Sequence, residues 1–288
     1  MKSWRFLLLP LALFFVSEYG DASDYTDLVF KGCADQKFPN SNGYYERARE
    51  ILFDSLISRS FSSRFYNTTS GDGATAINGL FQCRGDLTGG DCGKCVEKAR
   101  SMAPKLCGEA MAARVQLNGC YLRYEISWFR PASEATELLY KVCDSTRGSN
   151  TGFQESLDAA LGEIPKGVGG GFYEGGYQSV YTLGQCEGDL GSGDCVNCVK
   201  AAIEKAKSEC AGSVSAQVYL QECYISYTYH PNGASDDQRS LSSSGWGTEK
   251  TIAVVLGGLV GVGLVLACLL FTRSVFNKKT YHTSKLGG

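Results

Sequence analysis

Twelve of the chain's 13 cysteines fall into two sets of six, and the last five of each set share one spacing. The first set is Cys33, Cys83, Cys92, Cys95, Cys107 and Cys120; the second is Cys143, Cys186, Cys195, Cys198, Cys210 and Cys223. The last five of each read C-x8-C-x2-C-x11-C-x12-C, offset by 103 residues without a gap. Flanking residues repeat as well. Gln82-Cys83-Arg84-Gly85-Asp86-Leu87 mirrors Gln185-Cys186-Glu187-Gly188-Asp189-Leu190, and Val115, Leu117, Tyr121 and Tyr124 mirror Val218, Leu220, Tyr224 and Tyr227. This is a tandem duplication of a module of about 105 residues, an ordinary domain size. The interval between the first two cysteines differs, 33 to 83 against 143 to 186, so the extra residues belong in loops.

A cysteine-rich chain of this kind carries a disulfide framework, a metal site or a redox device, and the compartment decides among them. Lys2 and Arg5 flank the start of an 11-residue apolar run, 6–16, too short to span a bilayer and of signal-peptide length. Gly20 and Ala22 supply the small residues of a cleavage site, so residues 1–22 read as a signal peptide and the mature chain starts near Ser23. A buried N-terminal strand or helix is the competing reading. A second run, 252–271, has 20 residues and no charge, enough for a membrane-spanning helix. Arg273, Lys278, Lys279 and Lys285 follow it with no acid, which keeps that side in the cytosol. The expected topology is type I: a stalk at 232–250, a transmembrane helix at 251–272 and a cytoplasmic tail at 273–288, too short to fold alone. The charged tail disfavours a removable GPI signal. Gly257 and Gly261 form a G-x-x-x-G pair that suits helix association, and Cys268 is either a palmitoylation site or an inert small residue.

Each module has the same grammar. In the first, Ala48, Ile51, Leu52 and Leu56 recur at helical spacing within 44–59. The counterpart is shorter, 153–161, ending near Gly162 and Pro165. A second helix follows Asp91 or Asp194, either of which can cap it. Its buried stripe is Cys95, Val96, Ala99, Met102, Ala103 and Leu106, or Cys198, Val199, Ala202, Ile203 and Ala206. A strand comes next, with Ala113, Val115 and Leu117 facing in and Arg114, Gln116 and Asn118 facing out; Ala216, Val218 and Leu220 alternate likewise. Further strands precede the first cysteine of each set, at 27–30 and 137–142. The fold class is α+β: two tandem disulfide-stapled modules, 23–131 and 132–231, each an antiparallel sheet with two helices on one face.

The chemistry argues against an enzyme. His230 and His282 are the only histidines, so the stretch from Ser23 to Tyr229 offers no imidazole as base or ligand. The C-x-x-C pairs at Cys92/Cys95 and Cys195/Cys198 would need further cysteines for zinc, or an exposed nucleophilic thiol for redox work; a secreted context favours disulfides. The glycine-rich stretch 166–176 lacks a G-K-[ST] ending and reads as a flexible loop. His230 reads as part of a solvated turn. A net charge of −2 gives no reason to expect nucleic-acid binding. Asn67-Thr68-Thr69 is a glycosylation sequon on the secreted side. Tyr121, Tyr124, Tyr224 and Tyr227 read as packing residues. No catalytic residue, metal or cofactor is assigned.

The spacing, the Gln before the second cysteine, and Cys-Tyr-Leu-Arg-Tyr (120–124) or Cys-Tyr-Ile-Ser-Tyr (223–227) resemble the ginkbilobin-homologous repeat of plant extracellular proteins, over 26–230. Two such modules, one span and a short tail resemble the plasmodesmata-located proteins. That resemblance implies the pairing Cys33–Cys107, Cys83–Cys92, Cys95–Cys120, Cys143–Cys210, Cys186–Cys195 and Cys198–Cys223, which spacing alone leaves open among 15 possibilities per module. It implies a plasma-membrane protein at plasmodesmata, its ectodomain facing the cell wall, that restricts cell-to-cell movement in connection with callose and defence. The implied partners are other copies and family members, receptor-like kinases, viral movement proteins and cell-wall glycan. An antifungal relative binds mannose through an Asn, an Arg and a Glu. Arg114 and Glu125 match two of these, Ala34 replaces the Asn, and module two holds Asp144, Gln217 and Thr228. Losing a hydrogen-bond partner costs such a site roughly 1–3 kcal/mol, so both sites are degenerate. Arg114 and Glu125 are eleven residues apart, which on a regular strand sets them on opposite faces. A carbohydrate-binding co-receptor and a thiol oxidoreductase are the other readings carried forward.

Overall fold

The computed structural model describes residues 24–39, 43–126, 136–148 and 151–230. All fall within one compact unit, Met1–Ser235. The expected signal peptide, stalk, span with Gly257, Gly261 and Cys268, and tail lie outside the described residues. Among the described residues, no helix is long and apolar enough to cross a membrane.

Module one runs β1 (Leu28–Cys33), α1 (Tyr44–Ser60), β2 (Phe65–Ser70), β3 (Ile77–Cys83), α2 (Gly89–Cys107), β4 (Ala112–Leu117) and β5 (Cys120–Glu125). Module two repeats the order as β6 (Leu138–Cys143), α3 (Thr151–Gly167), β7 (Phe172–Tyr177), β8 (Val180–Cys186), α4 (Ser192–Glu209), β9 (Ser215–Leu220) and β10 (Cys223–Tyr229). Every strand pairing is antiparallel, in the orders β1-β4-β5-β3-β2 and β6-β9-β10-β8-β7. Equivalent elements are the same length apart from a residue at the ends of α4 and β10. The seven extra residues between the first two cysteines of module one sit in two loops: three before α1 and four between β2 and β3. Where module one has a short 3-10 turn (Gly73–Thr75), module two closes β7 onto β8 with Gln178 and Ser179 alone. Such a tight hairpin needs left-handed backbone, and Gln178 supplies it at φ 51°.

Two helices cover one face of each sheet. Leu52, Phe53, Leu56, Val96, Ala99, Val115, Leu122 and Tyr124 are core of module one; Phe153, Leu157, Leu161, Val199, Ile203, Val218 and Ile225 are core of module two. Four helix details differ from the sequence reading. Ile51 is 58% exposed, because the buried arc of α1 is centred on Ala48, Leu52 and Leu56 and is widened by Tyr45 and Phe53 instead. Helix α3 is as long as α1 and carries Gly162 and Pro165 inside it, since Ile164 and Val168 continue the buried stripe past them. Asp91 is not the cap of α2: Thr88 is, its hydroxyl accepting from the Asp91 N–H while Asp91 accepts the Thr88 hydroxyl in return. Asp194 likewise sits within the first turn of α4, behind Gly191. Met102 and Leu106 are only partly buried against the core.

The glycine-rich stretch is also corrected. It is not a flexible loop but the end of α3, a 3-10 turn (Val168–Gly170) and strand β7. Six disulfides join Cys33–Cys107, Cys83–Cys92, Cys95–Cys120, Cys143–Cys210, Cys186–Cys195 and Cys198–Cys223. In each module they tie α2, or α4 and the Cys210 that ends it, to three different strands. The long second helix is thereby fixed on its sheet, and bridges of this kind typically contribute about 2–4 kcal/mol each.

Candidate functional site at the junction of the modules

The alternation in β4 predicts a polar, solvated outer face, and the structure overturns this. Arg114 is 8% exposed and Gln116 2%. The outer face is buried because the two modules meet there. Leu80, Tyr121 and Tyr219 are buried yet belong to neither helix-covered core. Phe30 on β1 stacks on Tyr140 of β6 at 5.1 Å and meets Tyr219 of β9 edge-on at 5.5 Å.

The junction has approximate two-fold character, as expected when one duplicated surface meets its copy. Gly85 lies against Phe172, and Gly188, its repeat equivalent, lies against Phe65, the equivalent of Phe172. A Cβ on either glycine would fall 2.3–2.5 Å from the facing ring, so only glycine fits. The glutamine before each second cysteine is built in alike. Gln82 and Gln185 each donate to the carbonyl of the following cysteine, at 2.8 and 2.9 Å. Gln185 then accepts the Gly85 N–H across the junction at 2.9 Å, whereas Gln82 Oε1 has no partner among the described residues.

One charge reversal breaks the symmetry. Arg84 in module one is replaced by Glu187 in module two. Arg84 makes a bidentate pair with Asp86 at 2.7 and 2.8 Å. Glu187 is 4% exposed and accepts a hydrogen bond from the Tyr121 hydroxyl of the other module. Burial pushes the Glu187 carboxyl up to about 7, with Asp189 adding to the effect. Burial also raises Tyr121 well above the phenol range, and the Glu187 charge adds to it. Arg114 lies over the Tyr121 ring at 3.9 Å and donates to the Gln221 carbonyl of module two at 2.7 Å and to Gln116 at 3.2 Å. Its guanidinium is therefore committed to joining the modules.

A cleft of about 290 Å³ opens at the rim of this junction. Its lining includes Ala34, Arg114 and Glu125, the three positions singled out by resemblance, with Leu139, Gln221 and Glu222 from module two. Arg114 and Glu125 share one face, contrary to the parity expectation. They lie on two strands rather than one: Arg114 is opposite Arg123 and Ala112 opposite Glu125, and the hairpin turn restores the phase. Arg123 and Glu125 pair at 3.5 Å. Arg114 Nε and Glu222 Oε2 are buried in the wall without a protein partner among the described residues. One donor and one acceptor are thus available to water or to a hydroxyl-bearing molecule.

The equivalent positions of module two do not form such a site. Asp144 takes up the Thr146 N–H at 2.7 Å, which holds its carboxyl below the usual range, and Gln217 accepts from the Tyr219 hydroxyl at 2.8 Å. His230 is half-buried and meets Tyr181 edge-on at 5.8 Å, rather than standing in a solvated turn. Asn67 is exposed on edge strand β2. Among the described residues, no group of three or more His, Cys, Asp or Glu could hold a metal ion. The residues that sequence reasoning missed are Phe30, Tyr140, Glu187, Gln221 and Glu222. The one available signal was the Arg84-to-Glu187 reversal inside an otherwise repeated motif.

The sequence pattern of the salt stress response/antifungal family matches residues 32–127 and 142–230, the two modules. Plasmodesmata-located protein 2 of Arabidopsis thaliana is 47% identical over 275 residues, covering 89% of both chains. The chain belongs to the plasmodesmata-located protein family. Plasmodesmata-located protein 1 of the same plant is 45% identical over 96% of this chain and 97% of its own. The fold of this family member is similar to the crystal structure of the tandem DUF26 ectodomain of the A. thaliana cysteine-rich receptor-like protein PDLP8. TM-score is 0.67 and identity 31%, over 71% of this chain and 98% of that one. A cysteine-rich receptor-like protein kinase from A. thaliana is 29% identical over 80% of this chain but only 35% of its own length.

Proposed function

We propose that this chain is a non-enzymatic membrane protein of plasmodesmata that modulates cell-to-cell trafficking. The observation that carries this reading is near-full-length similarity to proteins named for that location. In this reading residues 1–22 are removed, 251–272 cross the plasma membrane, 273–288 lie in the cytosol, and the modules face the wall with a glycan on Asn67. The span carries targeting and, through Gly257 and Gly261, lateral association; Cys268 is a site for palmitoylation. The joined modules act as one rigid contact surface for other copies, family members or receptor-like kinases. Callose deposition, defence signalling and use by viral movement proteins follow from the same family reading. Fusing residues 248–288 to a fluorescent reporter behind a signal peptide tests targeting. Puncta at cell junctions are expected, and a uniform plasma-membrane signal would contradict targeting by the span.

The cleft favours a second reading, a cell-surface carbohydrate-binding co-receptor that signals through a partner kinase. Its support is the convergence of Ala34, Arg114 and Glu125 beside the two unpartnered polar atoms. Since Arg114 also joins the modules, Glu125→Gln is the cleaner probe. Saturable binding of wall oligosaccharides that this substitution abolishes is the result expected of a co-receptor; absence of binding leaves the protein-contact role.

A further inference from the structure

We infer that the Glu187 carboxyl, buried across the junction against Tyr121, makes the module junction a pH-sensitive latch, closed in acid and loosened toward neutral and alkaline pH. Glu187 stands at the end of β8 in module two, with its side chain buried against β5 of module one. The groups facing it come from every neighbouring element. Tyr121 donates to it from β5, and Arg123 on the same strand and Arg114 on β4 attract its charge. Asp189, on its own loop, repels it. Glu222, on the β9–β10 turn whose backbone carbonyl takes the Glu187 N–H, is a second acid, with a buried oxygen that has no partner among the described residues. The two arginines draw the carboxyl down, but less than its burial pushes it up.

The sign follows from where the carboxyl prefers its proton. In the closed junction it titrates near 7; exposed to water it returns to its ordinary value of 4.5. Between these values the closed form binds the extra proton. Closure is therefore fully supported below about 4.5 and is lost as pH rises through about 7. The opening constant should rise by about tenfold per pH unit across most of that window and flatten above it. Arg84, at the equivalent place in module one, already has its counter-charge in Asp86 and gives no such dependence there. Opening would also take apart the cleft, because its lining comes from both modules. The inference stands whatever the cleft binds.

Hydrogen exchange of the full-length protein in lipid nanodiscs, read at the Gly85 amide, which donates to Gln185 across the junction, and corrected for intrinsic rates, tests the latch from pH 5 to 8. The wild type should open progressively more up to about pH 7 and then level off, and Glu187→Gln, a neutral mimic of the protonated acid, should show no rise. A flat wild-type profile, or an unchanged slope in Glu187→Gln, overturns the inference. Should Glu187→Gln fail to fold, Tyr121→Phe carries the test. It removes a hydrogen bond that favours the charged carboxylate, so the midpoint should move above 7. An unmoved midpoint overturns the inference.

Discussion

Module one packs a cluster of rings between its first helix and its sheet; module two has the ring pair Phe153 and Tyr229 there, at 4.8 Å, and a groove between its two helices. In module one Phe38 stacks on Tyr45 at 5.3 Å, Phe53 meets Tyr124 edge-on at 5.6 Å, and the Arg49 guanidinium sits 5.4 Å from Phe38 and 5.8 Å from Tyr124. Arg49 also donates to the Gly108 carbonyl at 2.8 Å, so the buried charge is both stacked and hydrogen-bonded. In module two a groove of about 300 Å³ lies between α3 and α4. Its floor includes Leu157, Leu161, Ala206 and Tyr227, and Asp158 pairs with Lys207 at 2.9 Å at its mouth. An arginine still reaches the same carbonyl position, but from a loop: Arg147 donates to Ala211. The disulfides clamp the backbone equally in both halves. What lies between helix and sheet differs between the repeats, while the junction glycines Gly85 and Gly188 and the glutamines Gln82 and Gln185 recur in both.

The largest effect that would test this contrast is core truncation. Phe53→Ala should cost ~3–5 kcal/mol, while Leu157→Ala should fall near ~2 kcal/mol because part of the cavity already exists there. Denaturant unfolding of each variant measures both, and equal losses would remove the distinction between the cores. The junction should behave in the opposite way. Gly85→Ala and Gly188→Ala each drive a methyl into a facing ring and should each cost ~1–3 kcal/mol, about equally. A loss at one glycine and none at the other would show that the two-fold character is nominal. The helix caps give the smallest effect. Thr88→Ala should destabilise by ~1 kcal/mol, and Gly191→Thr should stabilise by a few tenths, each read from the shift in melting temperature.

The repeat frame was readable because disulfide spacing is local in sequence, and so were α2, α4 and the strand before each last cysteine. Strands β2, β3, β7 and β8 gave no clear signal. β3 reads Ile-Asn-Gly-Leu-Phe-Gln-Cys, and its seven residues are buried on both faces, so period-two alternation vanishes. The partner that buries the second face is the other module, and no local pattern announces it. Arg114 and Gln116 looked solvated for that reason. The opposite-face expectation for Arg114 and Glu125 failed because parity was counted through a turn. Pairing across β4 and β5, rather than distance along the chain, decides which side chains share a face.

If the junction makes the two modules one folding unit, the looser module two borrows stability from module one. Hydrogen exchange of the full-length protein through a urea series, followed on peptides from β3–α2 and from β8–α4, tests this most directly. The two sets should lose protection at the same urea concentration, with one free energy of opening. Earlier loss of protection in β8–α4, with β3–α2 still protected, would show that the modules fold independently and that the junction is only a contact.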